Sequence, residues 1–221
     1  MKLHIYLFRH GQTYYNKGHI FTGWKDSKLT PKGIKQAKIV ANKLKNKKFE
    51  VAVKTTLSRS KDTLKYVLKY HPECKKIMTD NSMIERSYGK LEGHHHSEFV
   101  KKSGMKDYNT LLHWNKIDNL EGKEKQDFIK KHGEADLHTI RRSYDVAPPR
   151  GESIKMVEKR VKEFIKDMLI YMKMHKVNIA ISAHGNSMRP FRRYFEHLSI
   201  NHMMKLENPF DDYFEYTIEV K

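Results

Sequence analysis

Short apolar runs that alternate with helical patterns restrict the fold of this chain more than any other feature. Residues 3–8 and 177–182 are compact apolar runs of the length of a buried strand. Between them, apolar residues recur at intervals of three and four, which is the spacing of one helix face. Because strands and helices alternate, we predict an α/β fold in which helices cover both faces of a mostly parallel central sheet, giving three α/β/α layers.

The first long helix has a clear start. Thr30 can cap a helix whose first residue is Pro31, and the apolar residues between positions 34 and 44 fall on one face. Further helices are predicted at 58–70, 154–169 and 188–195. Further strands are predicted at 49–55, 76–78 and 213–220, the last of them as an edge strand.

Residues 97–140 differ from the rest of the chain. They are polar and irregular, and they contain helix-like pieces but no strong strand pattern. We interpret this segment as an inserted, mainly helical cap. The 221 residues suit one domain spanning positions 1–221, because a second full domain would be cramped.

The formal net charge of +18 would attract polyanions, including nucleic acids and small phosphorylated metabolites. No nucleic-acid-binding motif accompanies this charge, so we expect solvated lysine-rich helix faces and no specific nucleic acid partner. No apolar run is long enough for a membrane span, and the first residues lack a signal-peptide pattern, so no membrane association is expected. The single cysteine, Cys74, suits a reducing, cytoplasmic location.

Histidine and arginine side chains follow three of the predicted strands. Arg9 and His10 follow the first strand, Arg59 lies just after the second, and His184 follows the run at 177–182. In parallel sheets, ligands bind outside the carboxyl ends of the strands, so these side chains are expected to share one site.

That set of side chains suits phosphoryl transfer. Guanidinium groups bind phosphoryl oxygens in a bidentate manner, and a neutral imidazole can attack phosphorus. The second histidine, if protonated, would add positive charge in the transition state. Gly11 and Gly185, directly after the two histidines, are expected to let the backbone approach the phosphate closely.

Seven motifs, in this order, resemble those of the histidine phosphatase superfamily, specifically its cofactor-dependent phosphoglycerate mutase branch. They cover most of the chain: Arg9-His10-Gly11 with Asn16, Thr22-Gly23-Trp24, Leu29-Thr30-Pro31-Lys32-Gly33, Ser58-Arg59 with Thr63, Glu85-Arg86-Ser87-Tyr88-Gly89, Gly151-Glu152-Ser153, and Ala183-His184-Gly185-Asn186-Ser187.

The resemblance implies interconversion of 3-phosphoglycerate and 2-phosphoglycerate, primed by 2,3-bisphosphoglycerate and without a metal. His10 would be the phosphorylated nucleophile and Glu85 the proton donor and acceptor, while Arg9, Arg59 and His184 would complete the phosphate pocket. Secondary contacts to phosphate or substrate would come from Asn16, Thr22, Gly23, Gly185 and Asn186. Tyr88, Arg141 and Arg142 would grip the substrate carboxylate. The family often forms homodimers, so a homodimer is also compatible with the resemblance.

Several departures favour the alternative of a phosphatase, a phosphomonoesterase of the same fold. His96 stands where mutases usually carry a lysine, and Gln12 is common in phosphatase relatives. The segment from His96 to Arg141 is longer than in typical mutases, and the segment from Arg142 to position 151 is shorter. We therefore expect the cap over the site to differ in structure from that of typical mutases. The sequence ends at Lys221 without the family's covering tail, so more leakage to water is expected.

Other interpretations remain open at this point. The run His94 to His96 could bind a metal, although a solvated loop is favoured because adjacent residues cannot all face one ion. Arg141 and Arg142 could be two more surface charges. A third function class is an inactive, basic binding protein for polyanions, but such a protein needs no nucleophile beside a proton donor.

Overall fold

The computed structural model describes residues 1–220, and Lys221 lies outside the described residues. The strands of the described part are β1 (Lys2–Arg9), β2 (Val51–Lys54), β3 (Lys76–Thr79), β4 (Ile179–Ala183) and β5 (Tyr213–Glu219). Its α-helices are α1 (Tyr14–Lys17), α2 (Pro31–Leu44), α3 (Ser58–Val67), α4 (His96–His113), α5 (Gly122–Arg142), α6 (Ile154–His175), α7 (Gly185–Glu196) and α8 (Ile200–Lys205). Short 3₁₀ turns lie at Leu68–Tyr70, Asn81–Met83 and Gly89–Leu91.

The five strands form one sheet in the order β3-β2-β4-β1-β5. The first four strands in this order run parallel, and β5 pairs antiparallel with β1 as the predicted edge strand. β1 and β4 are direct neighbours, with Arg9 level with Ala183. The carboxyl ends of two central strands therefore lie side by side.

Side chains alternate between the two faces of β1, as the period of a strand requires. Leu3, Ile5 and Leu7 pack against α6 and α7, whereas Tyr6 and Phe8 pack against α2 and α3. Helices thus cover both faces of a mostly parallel sheet, which confirms the predicted three-layer α/β/α fold.

Some predicted boundaries were wrong. β2 begins two residues later than predicted and ends one residue earlier, where Thr55 leaves the ladder: its amide donates to Ser60 Oγ and its hydroxyl pairs with His184. α3 ends at Val67, and the last predicted turn is 3₁₀. α7 begins at Gly185 instead of position 188, directly after β4, so its amino terminus points to the strand ends.

The cap contains two long helices rather than the short pieces expected. α4 and α5 pack on each other at two glycines: a Cβ on Gly104 would lie 1.9 Å from the Ile129 carbonyl oxygen, and one on Gly133 would lie 2.0 Å from that of Val100. The helices span 96–142, slightly more than the predicted 97–140. The division into one domain with an inserted cap stays a prediction. Among residues 1–220, no helix has both the length and the apolar character required to cross a membrane.

Candidate active site

Two histidines meet where β1 and β4 end. The amide of His10 donates to the carbonyl of Ala183 at 3.1 Å, and His184 is the next residue. The ring centroids of His10 and His184 are 5.0 Å apart, and both residues are buried. The pairing of the two strands therefore brings the imidazoles together, as the sequence predicted.

The ring of His10 is held by its own loop. Its Nδ1 pairs with the carbonyl oxygen of Gly11 at 2.8 Å, so Nδ1 carries the hydrogen and Nε2 keeps its lone pair. Burial lowers the pKa of His10 well below its usual value, and the charges of Arg59 and Arg9 lower it further. His10 is therefore neutral at physiological pH, as an attacking nucleophile must be.

His184 is paired on one side only. Its Nε2 lies 2.8 Å from the hydroxyl of Thr55, while within residues 1–220 its buried Nδ1 has no hydrogen-bond partner. Burial, followed by the charge of Arg59, lowers its pKa well below the usual value. His184 is thus neutral at neutral pH here, and a positive charge on it in the transition state stays a prediction.

Arg9 and Arg59 flank the histidines and are anchored by carbonyl oxygens. Arg9 donates to Asn208 at 3.0 Å, and Arg59 donates to Gly23 and Lys25 at 2.7 and 2.9 Å. Within the described residues, the buried Nε of each arginine lacks a hydrogen-bond partner. Burial lowers the pKa of Arg9 to about 10 and lowers that of Arg59, but both guanidiniums stay charged at neutral pH. These unused donors favour an anion.

Glu85 faces the two imidazoles from the loop after β3. One of its oxygens and one ring nitrogen from each of His10 and His184 lie within 4.8 Å of one another. Its Oε1 accepts from the amides of Arg86 and Asn186 at 2.8 and 3.1 Å. A carboxylate so fixed beside the nucleophile can transfer protons to and from a reacting oxygen.

The same three side chains could also be considered as metal ligands. Two imidazoles and one carboxylate form a donor set that zinc accepts. However, the buried guanidiniums of Arg9 and Arg59 lie beside them, and their positive charge opposes a cation and attracts an anion. The expected lack of a metal stays a prediction.

A cavity of about 260 Å³ opens over His10. Most of the predicted site residues line it: Arg9, His10, Asn16, Thr22, Gly23, Arg59, Glu85, Tyr88, Arg141 and Asn186. His184 does not line it, and its side chain is fully buried. An adjoining cavity of about 150 Å³ holds the remaining predicted residues, Arg142 and Gly185.

The glycines after the two histidines make room for neighbouring groups, and their expected approach to a phosphate stays a prediction. A Cβ on Gly11 would lie 2.2 Å from the carbonyl oxygen of Gly33, and one on Gly185 would lie 3.2 Å from the guanidinium carbon of Arg9. Gly11 therefore admits the start of α2, and Gly185 makes room for Arg9.

Sequence reasoning assigned no site role to Phe210 or Arg189. The guanidinium carbon of Arg9 lies 3.8 Å from the ring centroid of Phe210, which also lines the larger cavity. Arg189 lines the smaller cavity from the first turns of α7. It follows the Ala183–Ser187 motif by two residues, and the many basic residues of this chain concealed it.

His96, noted in place of a lysine, also lines the larger cavity. Burial lowers its pKa to about 4, with smaller contributions from Arg141 and neighbouring histidines. At neutral pH it therefore adds no positive charge. His94 and His95 are exposed and bind other groups: His94 pairs with Glu98, and His95 with the carbonyl of Gly18.

Comparison with known proteins agrees with this geometry. The family model described as the histidine phosphatase superfamily (branch 1) matches residues 5–118 and 115–217. A 2,3-bisphosphoglycerate-dependent phosphoglycerate mutase of Methanococcus vannielii is 30% identical over 206 residues, covering 93% of this chain and 86% of the relative. A phosphoglycerate mutase of Schizosaccharomyces pombe is 32% identical over 207 residues, covering 92% and 84%.

Solved structures share the fold. YhfR of Bacillus stearothermophilus superposes with a TM-score of 0.71 at 21% identity, over 99% of this chain and 92% of that protein. A mycobacterial glucosyl-3-phosphoglycerate phosphatase superposes with a TM-score of 0.70 at 18% identity, over 98% and 91%. With the buried histidine pair, the arginines and the family match together, the chain belongs to the histidine phosphatase superfamily.

Proposed function

We propose that this enzyme is a phosphoglycerate mutase that interconverts 3-phosphoglycerate and 2-phosphoglycerate through a phosphohistidine at His10. The observation that supports this most is the pair of adjoining cationic cavities. One surrounds His10 with Arg9 and Arg59, and the other contains Arg142 and a further arginine. A substrate with a phosphate at one end and a carboxylate at the other needs two such sites.

The chemistry follows from the site. Nε2 of His10 attacks phosphorus, the bond from phosphorus to the ester oxygen breaks, and Glu85 donates a proton to that leaving oxygen. In the reverse sense, Glu85 accepts the proton of the neighbouring substrate hydroxyl, whose oxygen attacks the phosphorus and frees His10. Arg9 and Arg59 stabilise the negative charge on the phosphoryl oxygens throughout.

We further propose 2,3-bisphosphoglycerate as the priming donor. The unpartnered Nε atoms of Arg9 and Arg59 suit one phosphate, and Arg141 and Arg142 suit a second anionic group. When bound, this compound supplies the phosphoryl group that first loads His10. Its name occurs in those of several relatives, including that of Methanococcus vannielii.

A phosphatase of the same fold is the second candidate, and His96 favours it. Because this imidazole is neutral at neutral pH, the site has one cation fewer than a site with lysine there. Weaker retention of a doubly charged ligand would give water more time to attack the phosphohistidine. Two of the structural neighbours are described as glucosyl-3-phosphoglycerate phosphatase and α-ribazole phosphatase, which shows that the fold serves hydrolysis as well.

For the cellular setting, we propose a cytoplasmic enzyme of glycolysis and gluconeogenesis that acts on a small phosphorylated metabolite. These assignments follow from the mutase names of the relatives and from the single cysteine. A homodimer remains compatible with the family.

The deciding experiment measures mutase turnover and release of inorganic phosphate in the same reaction with 2,3-bisphosphoglycerate and 3-phosphoglycerate. We expect mutase turnover to exceed phosphate release, and dominant phosphate release would refute the mutase assignment. Replacing Arg141 should lower the kcat/KM for phosphoglycerate far more than that for an aryl phosphate, which lacks a carboxylate. Equal losses would refute the carboxylate contact.

A further inference from the structure

The smaller cavity contains an arginine whose charge has no counter-ion. Arg189 is 7% exposed, and its Nη2 donates to the carbonyl oxygen of Leu206 at 3.1 Å. Within residues 1–220, its buried Nη1 has no hydrogen-bond partner, and no carboxylate forms an ion pair with it. A buried guanidinium with an unused donor is costly unless a ligand completes it.

The neighbouring Arg142 is neutralised, but only by an exposed group. Its Nη2 lies 3.1 Å from Oε1 of Glu207, whose side chain is 78% exposed. Exposed ion pairs contribute little to stability, so an anion in the cavity can replace this carboxylate. Glu207 therefore competes for the same guanidinium that a substrate anion would use.

The two cavities are continuous, because both are lined by Arg9, Glu85, Tyr88, Arg141 and Asn186. A ligand whose phosphate sits against His10 can thus extend toward Arg189. Burial lowers the pKa of Arg189 and the charge of Arg142 lowers it further, while Glu207, Tyr88 and Glu85 oppose this shift.

We propose that Arg189 is a binding residue for the second anionic group of the substrate, and that Glu207 is a built-in competitor that holds Arg142 until this group arrives. The inference rests on the proposed function, since it names the group that recognises the end of the substrate away from the reacting phosphate. Affinity for doubly anionic ligands then depends on two residues outside the sequence motifs, Arg189 and Glu207.

The test compares two ligands by calorimetry with the full chain: 3-phosphoglycerate, which carries two anionic groups, and inorganic phosphate, which carries one. Arg189→Met should weaken the affinity for 3-phosphoglycerate by about tenfold or more, which is the usual effect of losing a hydrogen bond to a charged group. Inorganic phosphate should bind within about twofold of the unmodified protein, and Arg189→Lys should restore part of the loss.

Glu207→Gln should have the opposite effect and raise the affinity for 3-phosphoglycerate, because no carboxylate then competes for the guanidinium of Arg142. Glu219→Gln is the matched control, since Glu219 is exposed, lies opposite Lys2 in the β1–β5 ladder at the other end of the sheet, and loses the same charge. Thermal unfolding of each variant shows whether the fold is intact.

The inference would be overturned if Arg189→Met lowered the affinities for both ligands equally or left the affinity for 3-phosphoglycerate unchanged. It would also be overturned if the unmodified protein bound the two ligands with the same affinity. A protein that binds 3-phosphoglycerate tightly through Arg189 but does not isomerise it would overturn only the proposed mutase activity.

Discussion

The hydrogen bond between Thr55 and His184 gives the sharpest mutational test of the site. The Thr55 hydroxyl lies 2.8 Å from Nε2 of His184 and accepts from the amide of Leu57 at 3.4 Å. A hydroxyl that donates to Nε2 leaves the hydrogen of the neutral ring on Nδ1, where it can donate to a phosphoryl oxygen, and we expect this tautomer in the working enzyme. Thr55→Val keeps the shape of the side chain and removes this control over the tautomer.

Two separate effects are expected from Thr55→Val. The buried Nε2 loses its partner, so the free energy of unfolding should fall by about 1–3 kcal/mol, measured by urea titration. Loss of an oriented donor to the phosphoryl oxygens should slow phosphoenzyme formation by about 100-fold, measured by rapid quench. Thr55→Ser retains the hydroxyl and should stay close to the unmodified protein in both measurements. A Thr55→Val protein that is less stable but forms phosphoenzyme at the normal rate would show that His184 only fills space beside His10 and donates no hydrogen bond to the phosphoryl group.

Three further outcomes are expected. Burial lowers the pKa values of His10, His184 and His96, so these imidazoles stay neutral in the folded protein. The same histidines take up protons in the unfolded chain below about pH 6.5. The free energy of unfolding should therefore fall as the pH is lowered below that point. The urea midpoints of unfolding at pH 7 and pH 5 measure this fall, and His96→Asn should make the difference between them smaller. Equal midpoints at the two pH values would contradict the prediction. Phe210→Ala uncovers the nucleophile and should shorten the lifetime of the phosphoenzyme in water; Phe210→Leu is the control, and an unchanged lifetime would exclude a shielding role. Arg86 is fully buried and donates to three carbonyl oxygens, two of them near the end of α5, so Arg86→Met should cost about 3–5 kcal/mol of stability in urea unfolding, whereas a loss below about 1 kcal/mol would show that water replaces it.

The centre of the site could be predicted from the sequence because its residues directly follow buried strands. The apolar runs at 3–8 and 177–182 place His10 and His184 at strand ends, and neighbouring parallel strands must bring those ends together. Local sequence and sheet geometry determine this part.

The second cavity could not be predicted in the same way. Arg189 is one of 44 lysines and arginines, and its burial depends on how α7 packs against the loop at Leu206. Phe210 lies in an irregular segment whose position depends on tertiary contacts. The cap helices were underestimated because α4 and α5 meet through the backbone at Gly104 and Gly133, which leaves no strong apolar stripe in the sequence.

In the proposed chemistry, the phosphoryl group is transferred to one nitrogen of one histidine. The enzyme can be loaded with 2,3-bisphosphoglycerate, denatured in base and examined by ³¹P NMR and by mass spectrometry of its peptides. Because Nδ1 of His10 donates a hydrogen bond to the carbonyl oxygen of Gly11, we expect a single phosphohistidine at Nε2 of His10 and no label in His10→Ala. Label on Nδ1, label on another residue, or a labelled His10→Ala protein would contradict it.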